Sequence, residues 1–173
     1  ESLEAPDLET YSKALNAGQY PLSVLAMNET AATLYRKGVY GNTMTANPRA
    51  LDVGTAVLRQ ITPELRENIV ERGHEFLEKF GKLAEELDGS ITRVQGTGLL
   101  FSVELDNSTY KAFGEGSTEE YLRMHGISVI HGGANSLRYT PPFGITSAEV
   151  DLIIEATRDA LVNGPVRQSE QAA

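Results

Sequence analysis

The chain has 173 residues, enough for one domain of ordinary size or one domain with an arm. Hydrophobic residues make up 40%, which sustains a core and excludes a disordered chain, while a net formal charge of −9 without any Lys/Arg cluster argues against a nucleic-acid or anionic-membrane partner. There is no cysteine, hence no disulfide and no thiolate metal site; no metal site is expected, and no apolar run approaches the about 18 residues of a membrane span.

The opening residues, Glu1 to Pro6, carry neither an initiator Met nor a basic, apolar signal and read as an interior cut, and residues 1–12 read as a short lead-in to a turn. Lys13 follows a small residue, Ser12, and precedes the flexible run Asn16-Ala17-Gly18, closed by Pro21. Tyr11, Ala14, Leu15, Ala17, Tyr20 and Pro21 surround it in sequence. Two readings stand side by side: a solvated lysine at a strand-to-loop junction, or an amine in a partly apolar pocket. Burial disfavours the ammonium, and a free amine attacks carbonyls.

Leu22 to Met27 is an apolar run of strand length. Asn28-Glu29-Thr30 caps a short helix through Tyr35, stopped by Lys37-Gly38. Val39 to Pro48 is a loop rich in hydroxyls and amides, small donors that suit an anion such as phosphate or merely a turn. Asn47 and Pro48 are the N-cap and first residue of a helix whose apolar residues, Leu51, Val53, Ala56, Val57 and Leu58, predict burial on several sides, as in a connector between domains. Thr62-Pro63-Glu64 starts a second helix, which keeps a helical period from Leu65 to Leu87 and stops at Asp88-Gly89. Its other face, Glu67 to Glu86, is charged and solvated, and His74 belongs to that rim.

From Ile91 the period becomes two. Ile91–Val94 and Leu99–Leu105 are expected strands about the turn Gln95 to Gly98, with Phe101, Val103 and Leu105 facing one way and Ser102 and Glu104 the other. Gly96-x-Gly98 lacks the third glycine and the following helix of a nucleotide loop. A polar loop, 106–116, leads to a helix at 118–125, a strand at 127–130 and a turn at 131–135. Arg138 lies on a strand between Leu137 and Tyr139, ahead of Pro141-Pro142, which end the ladder. A strand arginine in apolar company needs an anion, either a structural Glu/Asp or a ligand carboxylate that its planar fork holds bidentately. Thr146-Ser147-Ala148-Glu149 is a capping box opening a last helix, with Val150, Leu152, Ile153, Ala156, Ala160 and Leu161 on its buried side; Asn163-Gly164-Pro165 stops it, and a disordered tail is expected from 166.

Asp7, Leu8, Ser12, Lys13, Ala17 and Gly18, continued by Pro21-Leu22-Ser23, resemble the cofactor-lysine segment of class III aminotransferases, pyridoxal-phosphate enzymes of fold type I. Glu9 and Asn16 depart from the family's usual residues. Gly41-Asn42-Thr43 with Asn47-Pro48, and Arg138-x-x-Pro141-Pro142, resemble two further segments of that family in the same order. The resemblance covers 7 to about 161 and implies an α/β chain: the C-terminal part of a fold type I enzyme, with the end of the large cofactor domain at 1–48 and a connector helix plus α+β small domain at 49–165.

It implies that Lys13 holds pyridoxal 5'-phosphate as a Schiff base and moves the proton, acting as general base and acid. It implies that Thr43, with Asn42 beside it, contacts the phosphate of the cofactor bound to the neighbouring subunit of a homodimer, and that Arg138 holds the substrate carboxylate. The implied reaction is amino transfer between an amino acid or amine and a 2-oxo acid, in the cytoplasm. The acidic partner of the pyridine ring and the phosphate-cradling loop lie upstream in the family, so the missing N-terminal portion is the expected partner. A racemase, aminomutase or decarboxylase on the same scaffold, or a non-catalytic interaction module, are the alternatives.

Overall fold

The computed structural model describes residues 4–39, 41 and 45–167. The chain divides into two compact units, Glu1–Thr62 and Pro63–Ala173.

In the first unit, β1 (Leu8–Tyr11) pairs antiparallel with β2 (Val24–Met27), from Leu8 opposite Met27 to Tyr11 opposite Val24. Residues 8–11 of the lead-in expected before Lys13 thus form a strand, because the apolar run of β2 supplies them with a partner. A single 3-10 turn, Lys13–Asn16, follows β1 after Ser12. Asn28 caps α1 (Glu29–Ala32) by accepting from the Ala31 amide at 2.8 Å, and its own amide donates to Asp7 Oδ1. Asn47 caps α2 (Pro48–Gln60), accepting from the Arg49 amide at 3.0 Å, with Pro48 leading the helix as its sequence requires.

The burial expected of α2 is not formed within this unit. Only Ala50 and Gly54 are covered, while Leu51 and Leu58 remain 43% and 54% exposed. The unit offers α2 little more than the 13–16 turn and Leu22 to pack on.

The second unit carries the core. A four-stranded antiparallel sheet has the order β3 (Ile91–Thr97), β4 (Leu100–Leu105), β6 (Ser136–Tyr139), β5 (Ile130–Gly132). The helices are α3 (Pro63–Glu86), α4 (Thr118–Met124) and α5 (Ser147–Val162). Phe101, Val103, Leu105, Leu137 and Tyr139, the inward set of β4 and β6, are buried with Phe76, Phe80 and Leu83 of α3, Leu122 of α4 and Val150 of α5. Each such side chain contributes about 1.5–3 kcal/mol by leaving water. The Phe76 and Phe101 rings lie 4.4 Å apart, and Phe101 and Tyr139, partners in register, stack at 5.0 Å.

Several strand and helix limits differ from expectation. β3 continues through Gln95 and Gly96 to Thr97, so the hairpin turns on Gly98 and Leu99 alone. Gly98, with φ +53°, stands first in this two-residue loop, where a type II′ turn demands a positive φ. Gly73 of α3 packs on the turn so closely that a Cβ there would lie 2.4 Å from the Gly98 carbonyl oxygen. Gly96-x-Gly98 is therefore structural. The strand expected at 127–130 begins only at Ile130 and includes His131, because β5 pairs with β6 only from Arg138, opposite Ile130, back to Ser136, opposite Gly132.

In α5 the capping box is formed, yet Leu152 is 65% exposed and Ile154 and Thr157 take the buried side. The true stripe, Val150, Ile154, Thr157 and Leu161, follows one helical face, and Leu152 falls off it. Of the tail expected from 166, Arg167 is held by the 107–110 loop: its amide donates to the Thr109 carbonyl and its guanidinium to the Tyr110 carbonyl and Asn107 Oδ1. The rest of the tail lies outside the described residues.

Candidate active site

Lys13 stands at the junction of β1 and the 3-10 turn with φ +57°, the left-handed region that a lysine seldom adopts. The segment around it is tightly tied. Ser12 Oγ lies 2.9 Å from Ser23 Oγ across the hairpin, and the Leu15 amide donates back to the Ser12 carbonyl. Asn16 is fully buried beneath the turn and donates from Nδ2 to the Tyr20 carbonyl at 2.8 Å. Gly54 of α2 allows this approach: a Cβ there would lie 3.0 Å from a Leu22 methyl and 3.9 Å from Asn16 Cβ. Asn16 Oδ1 is buried without a partner among the described residues.

The lysine side chain lines a cleft of about 650 Å3 together with Ala14, Ala17, Tyr20, Pro21 and Leu22. Four of the six residues expected around the amine are therefore there, and Tyr11 and Leu15 are not. Of the two readings of this lysine, the described residues show the solvated one, with Lys13 exposed rather than covered by the apolar residues of the first unit. No hydrogen bond or ion pair engages its Nζ among the described residues. Asn42 and Thr43 lie outside the described residues.

Arg138 sits in the middle of β6, where Leu137 and Tyr139 point into the core and Arg138 points to the opposite, open face. Among the described residues no carboxylate comes within ion-pair distance of it. Its cross-strand partners are Ser102 on β4 and Ile130 on β5, and a cleft of about 440 Å3 beside it is lined by Gln95, Thr97, Leu100 and Ser102. The alternation of β4 already places Ser102 on this face; the pairing register that sets it against Arg138 has no signature in the sequence.

Other charged groups are structural. Burial pushes the Glu75 carboxyl up, but hydrogen bonds from Lys79 and Ser147 and the charges of Lys79 and Arg72 outweigh it and hold the group below the usual range. Lys79 also pairs with Asp151, tying α3 to α5. This part of α3, expected to be simply solvated, is half-buried against α5. Hydrogen bonds from the Ser108 hydroxyl and then Thr109 lower Asp106 to about 2. His131 stacks on Phe113 with ring centroids 4.5 Å apart and lies 3.2 Å from Glu119.

The model for aminotransferase class III covers residues 3–161, and the chain belongs to that family. It is 33% identical over 154 residues to the ornithine aminotransferase of Geobacillus sp. (strain WCH70), covering 88% of this chain and 36% of that protein. Among solved structures, the acetylornithine aminotransferase of Elizabethkingia anophelis superposes with a TM-score of 0.81 at 26% identity, over 92% of this chain and 42% of that one. The ornithine delta-aminotransferase of Plasmodium falciparum does so with a TM-score of 0.79 at 27% identity, over 91% and 39%. The chain thus spans little more than a third of the length of the curated relative, and its mixed helices and sheets are part of a fold type I aminotransferase.

Proposed function

We propose that this chain is the C-terminal part of a pyridoxal-phosphate-dependent aminotransferase, cytoplasmic and homodimeric: the end of the large cofactor domain at 1–48, then the connector helix and small domain at 49–165. The observation that carries the reading is Lys13. It fills the lysine position of the family motif, its amine is unpartnered among the described residues, and it opens on a cleft. The residues fit the aldehyde end of the cofactor: the Ser12 and Ser23 hydroxyls engage each other, leaving the lysine as the unengaged nitrogen nucleophile of that lining.

When bound, the cofactor supplies an electron sink for the substrate carbanion. Lys13 Nζ would hold it covalently and, as a free amine, would take and return the substrate proton as general base and acid. Arg138 orients the substrate through its carboxylate. By the family motif, Thr43 and Asn42 would serve the phosphate of the cofactor held by the neighbouring subunit. The N-terminal portion, on the same polypeptide or a second chain, supplies the acidic partner of the ring and the phosphate loop. The names of the relatives favour a donor of the ornithine type, carrying a terminal amine, with a 2-oxo acid as acceptor.

The test is assembly of the chain with its N-terminal portion, followed by ornithine and 2-oxoglutarate. Glutamate formation, and a borohydride-fixed cofactor mass on the Lys13 peptide that Lys13→Ala removes, are the expected results. Turnover without glutamate points to a racemase, aminomutase or decarboxylase. Turnover by the 173-residue chain alone overturns the dependence on a partner portion, and a Lys13→Ala assembly of unchanged activity favours the non-catalytic module.

A further inference from the structure

Arg138 is one member of a row. Ser102 lies directly opposite it on β4, and Gln95 lies opposite Ser102 on β3, so the three side chains share the open face on adjacent strands. Neighbouring strands are about 4.8 Å apart, which sets the Gln95 and Arg138 backbones roughly 10 Å from each other. The middle residue is short and the flanking two are long. The row is therefore concave, with Ser102 as its floor, and the 440 Å3 cleft lies along it.

The lining carries one positive charge and several neutral groups able to donate. The guanidinium offers five N–H donors and no acceptor, the Gln95 amide two donors, and the hydroxyls of Ser102 and Thr97 one each. No carboxylate lines the cleft. The acid of β4 on this face, Glu104, stands opposite Arg93 on one side and Ser136 on the other. One unpaired cation among neutral donors is complementary to a carboxylate: the arginine fork takes one lone pair from each oxygen, and two remain for the neighbours.

We propose that Gln95 and Ser102 are specificity-determining residues that complete, with Arg138, a carboxylate seat spanning three strands. The proposal rests on the reading of Arg138 as the arginine that holds the substrate carboxylate, and it adds what decides whether that arginine is available. Neutrality at position 95 is the critical feature, because an acid there meets the guanidinium across the row and occupies it. Ser102 donates its hydroxyl to the carboxylate from below.

The test is a titration of the 173-residue chain with 2-oxoglutarate, followed by backbone amide NMR, with sodium chloride at matched ionic strength as the reference. Saturable shifts centred on Gln95, Ser102 and Arg138 are expected. Ser102→Ala weakens binding three- to tenfold, Gln95→Glu more than tenfold, and Arg138→Ala abolishes it, the rest of each spectrum staying unchanged. If Ser102→Ala and Gln95→Glu bind like the parent while Arg138→Ala does not bind, the seat is wrong and the arginine reading stands. If Arg138→Ala binds like the parent, or chloride reproduces the same shifts, both readings fall.

Discussion

At the scale of single residues, position and chemistry were separable. Lys13 was marked by its motif, yet the structure adds two properties no motif carries: a left-handed backbone, φ +57°, and an exposed amine. Strain of this kind persists only where the surroundings over-determine it, here the Ser12–Ser23 bond and buried Asn16. Asp106 illustrates the electrostatic side. Its folded value, about 2, lies below the ordinary 3.8, so the ionised form is favoured in the native state. The stability it contributes is therefore complete above the ordinary value and is lost as pH falls from about 3.8 toward 2. A carboxyl-carbon NMR titration should place its midpoint near 2, and Ser108→Ala should move that midpoint upward.

At the scale of elements, glycine roles divide by environment. Gly96 and Gly81 both sit inside regular elements, where the intrinsic penalty of glycine is about 0.5–1 kcal/mol. A Cβ on Gly96 would lie 2.3 Å from Phe101 Cβ, whereas one on Gly81 meets nothing within 4 Å. Opposite outcomes follow in urea melts. Gly96→Ala should destabilise by about 1–3 kcal/mol as the hairpin is forced apart, and Gly81→Ala should stabilise by about 0.5–1 kcal/mol. The α5 capping box offers a third check: Thr146→Ala removes the cap from the Glu149 amide and should cost about 1 kcal/mol.

At the scale of the whole molecule, burial is unevenly shared. Every buried hydrophobic residue of the described chain except Ala31 and Ala50 lies in the second unit. The β1–β2 ribbon has all its residues exposed, and a two-stranded ribbon without further cover is marginal in water. Hydrogen exchange of the 173-residue chain should therefore show strong protection in α3, β4, β6 and α5 and weak protection in β1 and β2. On the proposal that an N-terminal portion completes the protein, assembly with it should raise protection in β1, β2 and α2, where Leu8, Leu25, Leu51 and Leu58 are exposed. Equal protection in both units before assembly contradicts this picture.

The sequence by itself determined what local rules govern: the helices opened by Asn47-Pro48 and by Thr146 with Glu149, the inward face of β4, the end of β6 before its two prolines, and the motif order that marks the family. These depend on contacts within a turn or on side-chain alternation, which are readable in a short window. Only the tertiary structure decided the two-residue hairpin on Gly98, the choice of Ile154 over Leu152, the Glu75 network between α3 and α5, and the alignment of Gln95, Ser102 and Arg138. Each of these depends on which distant segment arrives as neighbour, and strand register or helix contact is set by packing across the core rather than by the residues of either partner alone.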